Sequence, residues 1–279
     1  MRVSHFEHEG FQLAFEEYGE GDRVVVFLHG LLLDATLNRG IATSLEAGGY
    51  RVLLLDLLGH GGSDRPRHAT HHRMDHYADQ VVGLLDHLGI ESAVVGGVSL
   101  GANVSLHVAA QHPDRVTALI VEMPVLEWAT PAAALIFVPL LLGIRALRPV
   151  LAFTSGLIAK VPRTGIDPLD GVIRAVAAHP DEAAAVLHGL LVGPIAPSIE
   201  RRRQIDVPAL VLGHGRDLIH PFSDARNLAE DLPRGRLVEA SSILEMRLRP
   251  TRLMAELVDF LDSVHGVQPG RVVRLPARA

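Results

Sequence analysis

The stretch Ala93-Val94-Val95-Gly96-Gly97-Val98-Ser99-Leu100-Gly101 decides how this chain reads. A short β-branched, apolar run ends in Gly97-Val98-Ser99-Leu100-Gly101, and a helical pattern over Leu100 to Gln111 follows directly. Glycines two residues before and two after Ser99 leave room for a turn that packs too tightly for side chains. Such a strand–turn–helix lifts the serine hydroxyl off the sheet. It also sets the free N–H groups of the new helix beside any oxyanion that forms there.

The flanking segments repeat the same rhythm. Arg2 to His8 and Phe11 to Tyr18 read as strands, and Gly19-Glu20-Gly21-Asp22 reads as a turn. Val24-Val25-Val26-Phe27-Leu28 and Arg51-Val52-Leu53-Leu54-Leu55 are apolar runs suited to buried strands. Met74 to Leu88 places Tyr77, Val81, Leu84, Leu85 and Leu88 at helical spacing. Further strands are expected over Val116 to Val121, Ala209 to Gly213 and Arg236 to Ala240. Helices are expected over Ser223 to Leu232 and Pro250 to Val264. Alternation of this kind predicts an α/β domain with a mostly parallel central sheet and helices on both faces. The rhythm stops after Pro124. Residues 125–200 are Ala- and Leu-rich, helical and broken by prolines, so they read as a helical insertion in a core made of 1–124 and 201–265. The tail, 266–279, shows no periodicity and is expected to be poorly ordered.

Composition narrows the function. The chain has 279 residues, 48% hydrophobic and 21% charged, with net charge −6, which suits a globular protein and not a nucleic-acid partner. Arg201-Arg202-Arg203 is the only basic block, and it reads as a solvated helix face or loop. The absence of cysteine excludes disulfides, thiolate metal sites and thiol catalysis. The N-terminus has no apolar signal region, which makes a cytoplasmic location the default expectation. Ala132 to Ile144 is the longest apolar stretch. It is too short for a spanning helix and is interrupted by Pro139. The apolar surplus over 126–158 leaves two occupants open: an acyl or alkyl group of a hydrophobic small-molecule substrate, or the packing of this insertion onto the sheet or a second copy in a homodimer. His60, His68, His71, His72 and His76 lack a metal-ligand pattern and read as solvated, so no metal site is expected. Nothing calls for a cofactor.

Three motifs together carry a resemblance. They are His29-Gly30-Leu31 after a buried strand, Asp56-Leu57-Leu58-Gly59-His60-Gly61-Gly62-Ser63-Asp64 after the next, and the turn at Ser99. Over roughly residues 10 to 265 the chain resembles the α/β-hydrolase superfamily, in its serine esterase and lipase-like branch. The resemblance implies the α/β-hydrolase fold, with 125–200 as a helical cap over the site. It implies attack by Ser99 on a carbonyl carbon, and an oxyanion hole from the Leu31 and Leu100 backbone N–H groups, each contributing ~3 kcal/mol to transition-state stabilisation. It also implies that Asp217, in Asp217-Leu218-Ile219-His220-Pro221, is the triad acid. The expected activity is cleavage of an ester, or less readily an amide or lactone, through an acyl-enzyme.

The chain departs from the family at the base. The family histidine stands seven residues before the proline that opens the last helix, and here that residue is Ile243, counted back from Pro250. His220, beside Asp217, is the first candidate for a replacement base and His214 the second; Glu122, at a strand end, is a candidate to orient it. His29 is a further candidate, though its motif position suits a loop-shaping role. The rival expectation is a chain that kept the turn but lost the base, and so binds or scaffolds instead of cleaving.

Overall fold

In a computed structural model, eight strands among the described residues form one sheet in the order β1-β2-β4-β3-β5-β6-β7-β8. Residues 1–162, 164–165, 167–215 and 219–267 are described. The strands are β1 (Arg2–His8), β2 (Phe11–Tyr18), β3 (Val24–Leu28), β4 (Arg51–Leu55), β5 (Ala93–Val98), β6 (Val116–Glu122), β7 (Ala209–His214) and β8 (Gly235–Ala240). β1 and β2 pair antiparallel, β2 joins β4 antiparallel, and all later pairings are parallel.

The helices are α1 (Arg39–Ala47), α2 (Met74–His87), α3 (Leu100–Gln111), α4 (Thr130–Ala146), α5 (Arg148–Ile158), α6 (Asp167–Ala177), α7 (Pro180–Val192), α8 (Ile199–Arg202), α9 (Phe222–Asp231), α10 (Glu245–Leu248) and α11 (Thr251–Val264). Residue alternation splits the core into two layers. Val24, Val26 and Leu28 of β3 face the layer that includes Tyr77 and Val81 of α2 and Val104 of α3. Val25 and Phe27 face the opposite layer, with Leu45 of α1 and Leu257 and Leu261 of α11. A strand covered on both faces must be apolar at every position, which is why these runs are continuous instead of alternating.

The connection from β3 runs to β4 on one side, whereas the chain then crosses to β5 on the other. This places a topological switch point between β3 and β5, where the crevice of an open α/β sheet lies. The two peptides leaving those strands are His29-Gly30 and Ser99-Leu100. Between β6 and β7 the described residues form α4 to α8 and no strand.

Several local expectations are corrected. His60 and His72 are buried, not solvated. His72 Nδ1 lies 2.9 Å from the Tyr77 hydroxyl and its Nε2 lies 2.7 Å from the Pro66 carbonyl. Arg202 is 1% exposed, not part of a solvated basic face; it pairs with Glu127 at 3.0 Å and Asp231 at 3.2 Å. A guanidinium with two carboxylate partners can be buried where an unpaired one cannot. Of the tail expected to be poorly ordered, 268–279 lies outside the described residues. Among the described residues, no single helix is long and apolar enough to cross a membrane.

Candidate active site

Ser99 occupies a strained position, with φ 54° and ψ −109°, between β5 and α3. Left-handed φ is costly for a residue with a Cβ, so the surroundings must hold it. They do so through backbone hydrogen bonds. Ser99 N donates to the Glu122 carbonyl at 2.8 Å, and Gly101 N donates to the His29 carbonyl at 3.1 Å. Glycine is required at 101 because a Cβ there would stand 2.6 Å from the Leu28 carbonyl oxygen and 2.8 Å from that of His29. Both obstacles are backbone and cannot swing aside.

The bond from Gly101 to His29 also clamps the start of α3 to the loop carrying Leu31. Leu100 is the first residue of α3, so its N–H has no acceptor within the helix. Leu31 and Leu100 both line the same cavity as Ser99. His29 shapes this loop: its Nδ1 lies 2.9 Å from the Gly30 carbonyl and its Nε2 accepts from Leu57 N at 3.1 Å. Both ring nitrogens are thereby engaged away from Ser99. Asp56 fixes the same loop from below, accepting from Ala35 N at 2.7 Å and Gly62 N at 2.8 Å. Burial pushes its pKa up, against the pull of the neighbouring His29. Ser63 completes the motif by donating to the Asp56 carbonyl at 2.5 Å while accepting from Ala14 N. The His60 ring lies tilted against that of His29, with centroids 4.7 Å apart, and burial holds its pKa well below the usual imidazole range.

The structure brings His220 to Ser99: Nε2 and Oγ are 2.8 Å apart. The two side chains are 121 residues apart in sequence, and meet because the loop after β7 rises over the same sheet edge as the turn after β5. His214 ends β7, buried, and is not part of the cavity wall. Asp217 lies outside the described residues. Glu122 does not meet His220 as its orienting carboxylate. It is buried and forms an ion pair with Arg247, whose second amino group donates to Asn38 Oδ1 at 2.9 Å. A carboxylate desolvated at a strand end needs a cation, and α10 supplies one. Ile243 also stands at the cavity wall, 44% exposed.

The cavity has a volume of about 480 Å³. Its wall is mostly aliphatic, and includes Leu187, Leu190 and Leu191 of α7 and Phe137 of α4. Among the described residues, Arg247 and His220 are the only ionisable side chains in that wall. Sequence reasoning missed Arg247 because the stretch before Pro250 carries no motif, and the one-turn helix α10 that presents this arginine is too short to announce itself. It also missed Asn103, one turn beyond Ser99. The Asn103 amide donates to the Val125 carbonyl at 2.7 Å and the Ile195 carbonyl at 2.8 Å, and its oxygen accepts from Val125 N. One side chain thus ties together the beginning and the end of the helical insertion. Asp224 of α9 adds a second tie, accepting from Leu126, Trp128 and Ala129 backbone N–H groups. The available signal was a polar residue on the buried face of a helix.

Comparison with known proteins agrees with this fold. A family model described as the alpha/beta hydrolase fold matches residues 23–142. An esterase from Thermogutta terrifontis superposes with a TM-score of 0.76 at 25% identity, covering 95% of this chain and 100% of that one. The enol-lactonase of Burkholderia xenovorans LB400 superposes with a TM-score of 0.75 at 23% identity, covering 92% and 99%. A putative non-heme haloperoxidase of Mycobacterium phage D29 is 34% identical over 112 residues, 40% of this chain and 39% of that one. The chain therefore spans about two-fifths of that relative's length in the match. This chain has the α/β-hydrolase fold.

Proposed function

We propose that the chain is a serine hydrolase that cleaves an ester, or a lactone or amide, of a hydrophobic small molecule through an acyl-enzyme at Ser99. The observation that carries this reading is the 2.8 Å approach of His220 Nε2 to Ser99 Oγ at the edge of an apolar cavity of about 480 Å³. With its proton on Nδ1, His220 accepts the Ser99 proton at Nε2 as Oγ bonds to the carbonyl carbon. The carbonyl electron pair moves onto oxygen, where the Leu31 and Leu100 N–H groups receive it. When the tetrahedral centre collapses, the leaving alcohol takes the proton back from His220. Water then enters by the same steps in reverse. In this reading Asp217 orients His220, and the helical insertion is a cap whose aliphatic wall holds the acyl group and keeps water out.

The esterase and the enol-lactonase named above support the reaction class. The test is labelling by a fluorophosphonate, with turnover of p-nitrophenyl esters of graded chain length. Ser99 should label at neutral pH, Ser99→Ala should abolish both signals, and His220→Ala should slow labelling by ~10² to 10⁴. An unlabelled wild-type chain would leave a binding protein in place of a hydrolase. Labelling that survives in His220→Ala would clear His220 of the role.

A further inference from the structure

The helices α4, α5 and α6 carry more apolar surface outward than they bury. On α4, Leu135, Val138 and Leu142 stand at i, i+3, i+7 and are 77%, 42% and 59% exposed. On α5, Val150, Phe153 and Leu157 repeat that spacing and are at least half exposed. On α6, Leu169, Val172 and Val176 repeat it again. α5 contacts both α4 and α6, so the three helices that carry these stripes are neighbours. Large apolar patches on a protein surface mark sites of contact with another protein or a membrane.

Three features say what covers it. The first is charge. From Thr130 to Lys160 there are Arg145, Arg148 and Lys160 and no acidic residue, in a chain of net charge −6. Arg148 is paired with Asp181, but Arg145 and Lys160 face no carboxylate among the described residues. Arg145 and Arg148 sit at the α4–α5 corner, where the helices bend by 90°, and Lys160 sits just past the end of α5. The second is the lack of hydrogen-bonding capacity. The hydroxyls of Thr130, Thr154 and Ser155 each turn back to a carbonyl of their own chain three or four residues earlier. A protein partner needs about one hydrogen bond per 100–200 Å² of interface, whereas hydrocarbon needs none. The third is position. α4 turns Ala134 and Phe137 into the cavity beside Ser99 while it turns Leu135 and Leu142 outward.

We propose that this outer face of α4–α6 docks onto an anionic lipid surface, with the stripes in the headgroup–acyl boundary and Arg145 and Lys160 among the headgroups. The chain lies on the membrane and does not span it. Docking sets one helix between the lipid and the cavity, so a hydrophobic molecule dissolved in the bilayer has a short apolar path to Ser99. The docking itself does not depend on the reaction proposed above.

The test is co-sedimentation of the full chain with phosphatidylcholine vesicles, with and without phosphatidylglycerol. Emission from Trp128, the only tryptophan, is followed at the same time; it is 68% exposed beside α4. The wild-type chain should sediment with the phosphatidylglycerol vesicles, and Trp128 emission should shift to the blue. The double variant Leu135→Asp, Phe153→Asp, with both positions exposed and outside the cavity wall, should bind at least tenfold more weakly while keeping its circular dichroism. Lys160→Gln should weaken binding about fivefold. A wild-type chain that stays in the supernatant overturns the proposal, as does undiminished binding of the double variant. A stable dimer in sedimentation velocity that the double variant dissociates also overturns it, because a second copy would then own the face. Ser99 labelling by a soluble fluorophosphonate should be unchanged in the double variant, which separates a failure of docking from a failure of the catalytic reading.

Discussion

Replacing Arg247 by methionine tests the assignment of Glu122 most directly. Glu122 is buried at the end of β6, and the ion pair with Arg247 is its charge partner. Methionine fills much of the arginine volume but removes the charge, leaving a buried carboxylate unpaired and Asn38 Oδ1 without its 2.9 Å donor. Removing one member of a buried pair costs ~3–5 kcal/mol. At about 2–3 °C per kcal/mol for a chain of this size, the Tm should fall by ~6–15 °C. Glu122→Gln should also destabilise, by leaving the guanidinium uncompensated. The double variant Glu122→Gln, Arg247→Met has no charge left to strand, so it should be more stable than the two single losses predict, by more than ~1 kcal/mol. Thermal and urea unfolding of the four proteins closes the cycle. The same variants separate the two roles open to Glu122. If Glu122 serves Arg247, Glu122→Gln should label at Ser99 within about threefold of wild type at a temperature where it is folded. The reasoning fails if Arg247→Met is as stable as wild type. It fails equally if a fully folded Glu122→Gln labels a hundredfold more slowly, because the carboxylate would then orient His220.

Other outcomes follow from the same contacts. Gly101→Ala forces a Cβ against two backbone carbonyls at 2.6 and 2.8 Å, and should cost more than ~3 kcal/mol or prevent soluble expression; unchanged urea unfolding would contradict the close approach. Glu245 has its pKa lowered to about 2 by Arg252 and the Ser241 N–H, although burial works against them. Its contribution is fully present above its unfolded pKa near 4.5 and is lost as pH falls toward 2, so Glu245→Gln should destabilise at pH 7 and converge on wild type in acid. A stability difference that is flat with pH would sink that account. Asp34 is buried, which alone would raise its pKa, but Arg174 at 2.6 Å and Thr36 hold it low. This bond joins the core loop to α6, so Asp34→Asn should destabilise and should raise the hydrogen exchange of α6 more than that of the sheet.

What local sequence determined here is what local physics decides. The short, β-branched apolar runs of β3, β4 and β5 suit strands buried on both faces. The glycines at 97 and 101 suit a tight turn at Ser99 between strand and helix, because backbone packs where side chains would be. The strand bounds of β1, β2 and β3 were legible residue for residue for that reason. The three motifs, being local, carried the resemblance from which the fold was expected. Pairings across long sequence distances were not legible. Nothing in the one-dimensional pattern says that Arg247, and not His220, is the partner of Glu122, that Asn103 holds both ends of the insertion, or that Arg202 of a basic triplet is buried between Glu127 and Asp231. Each is a desolvated polar group whose position is tolerable only because a distant complement reaches it. The sequence named His220 only as a candidate, from its place beside Asp217. Its 2.8 Å approach to Ser99 exists because β5 and β7 flank β6 in one parallel sheet and release their loops on the same edge.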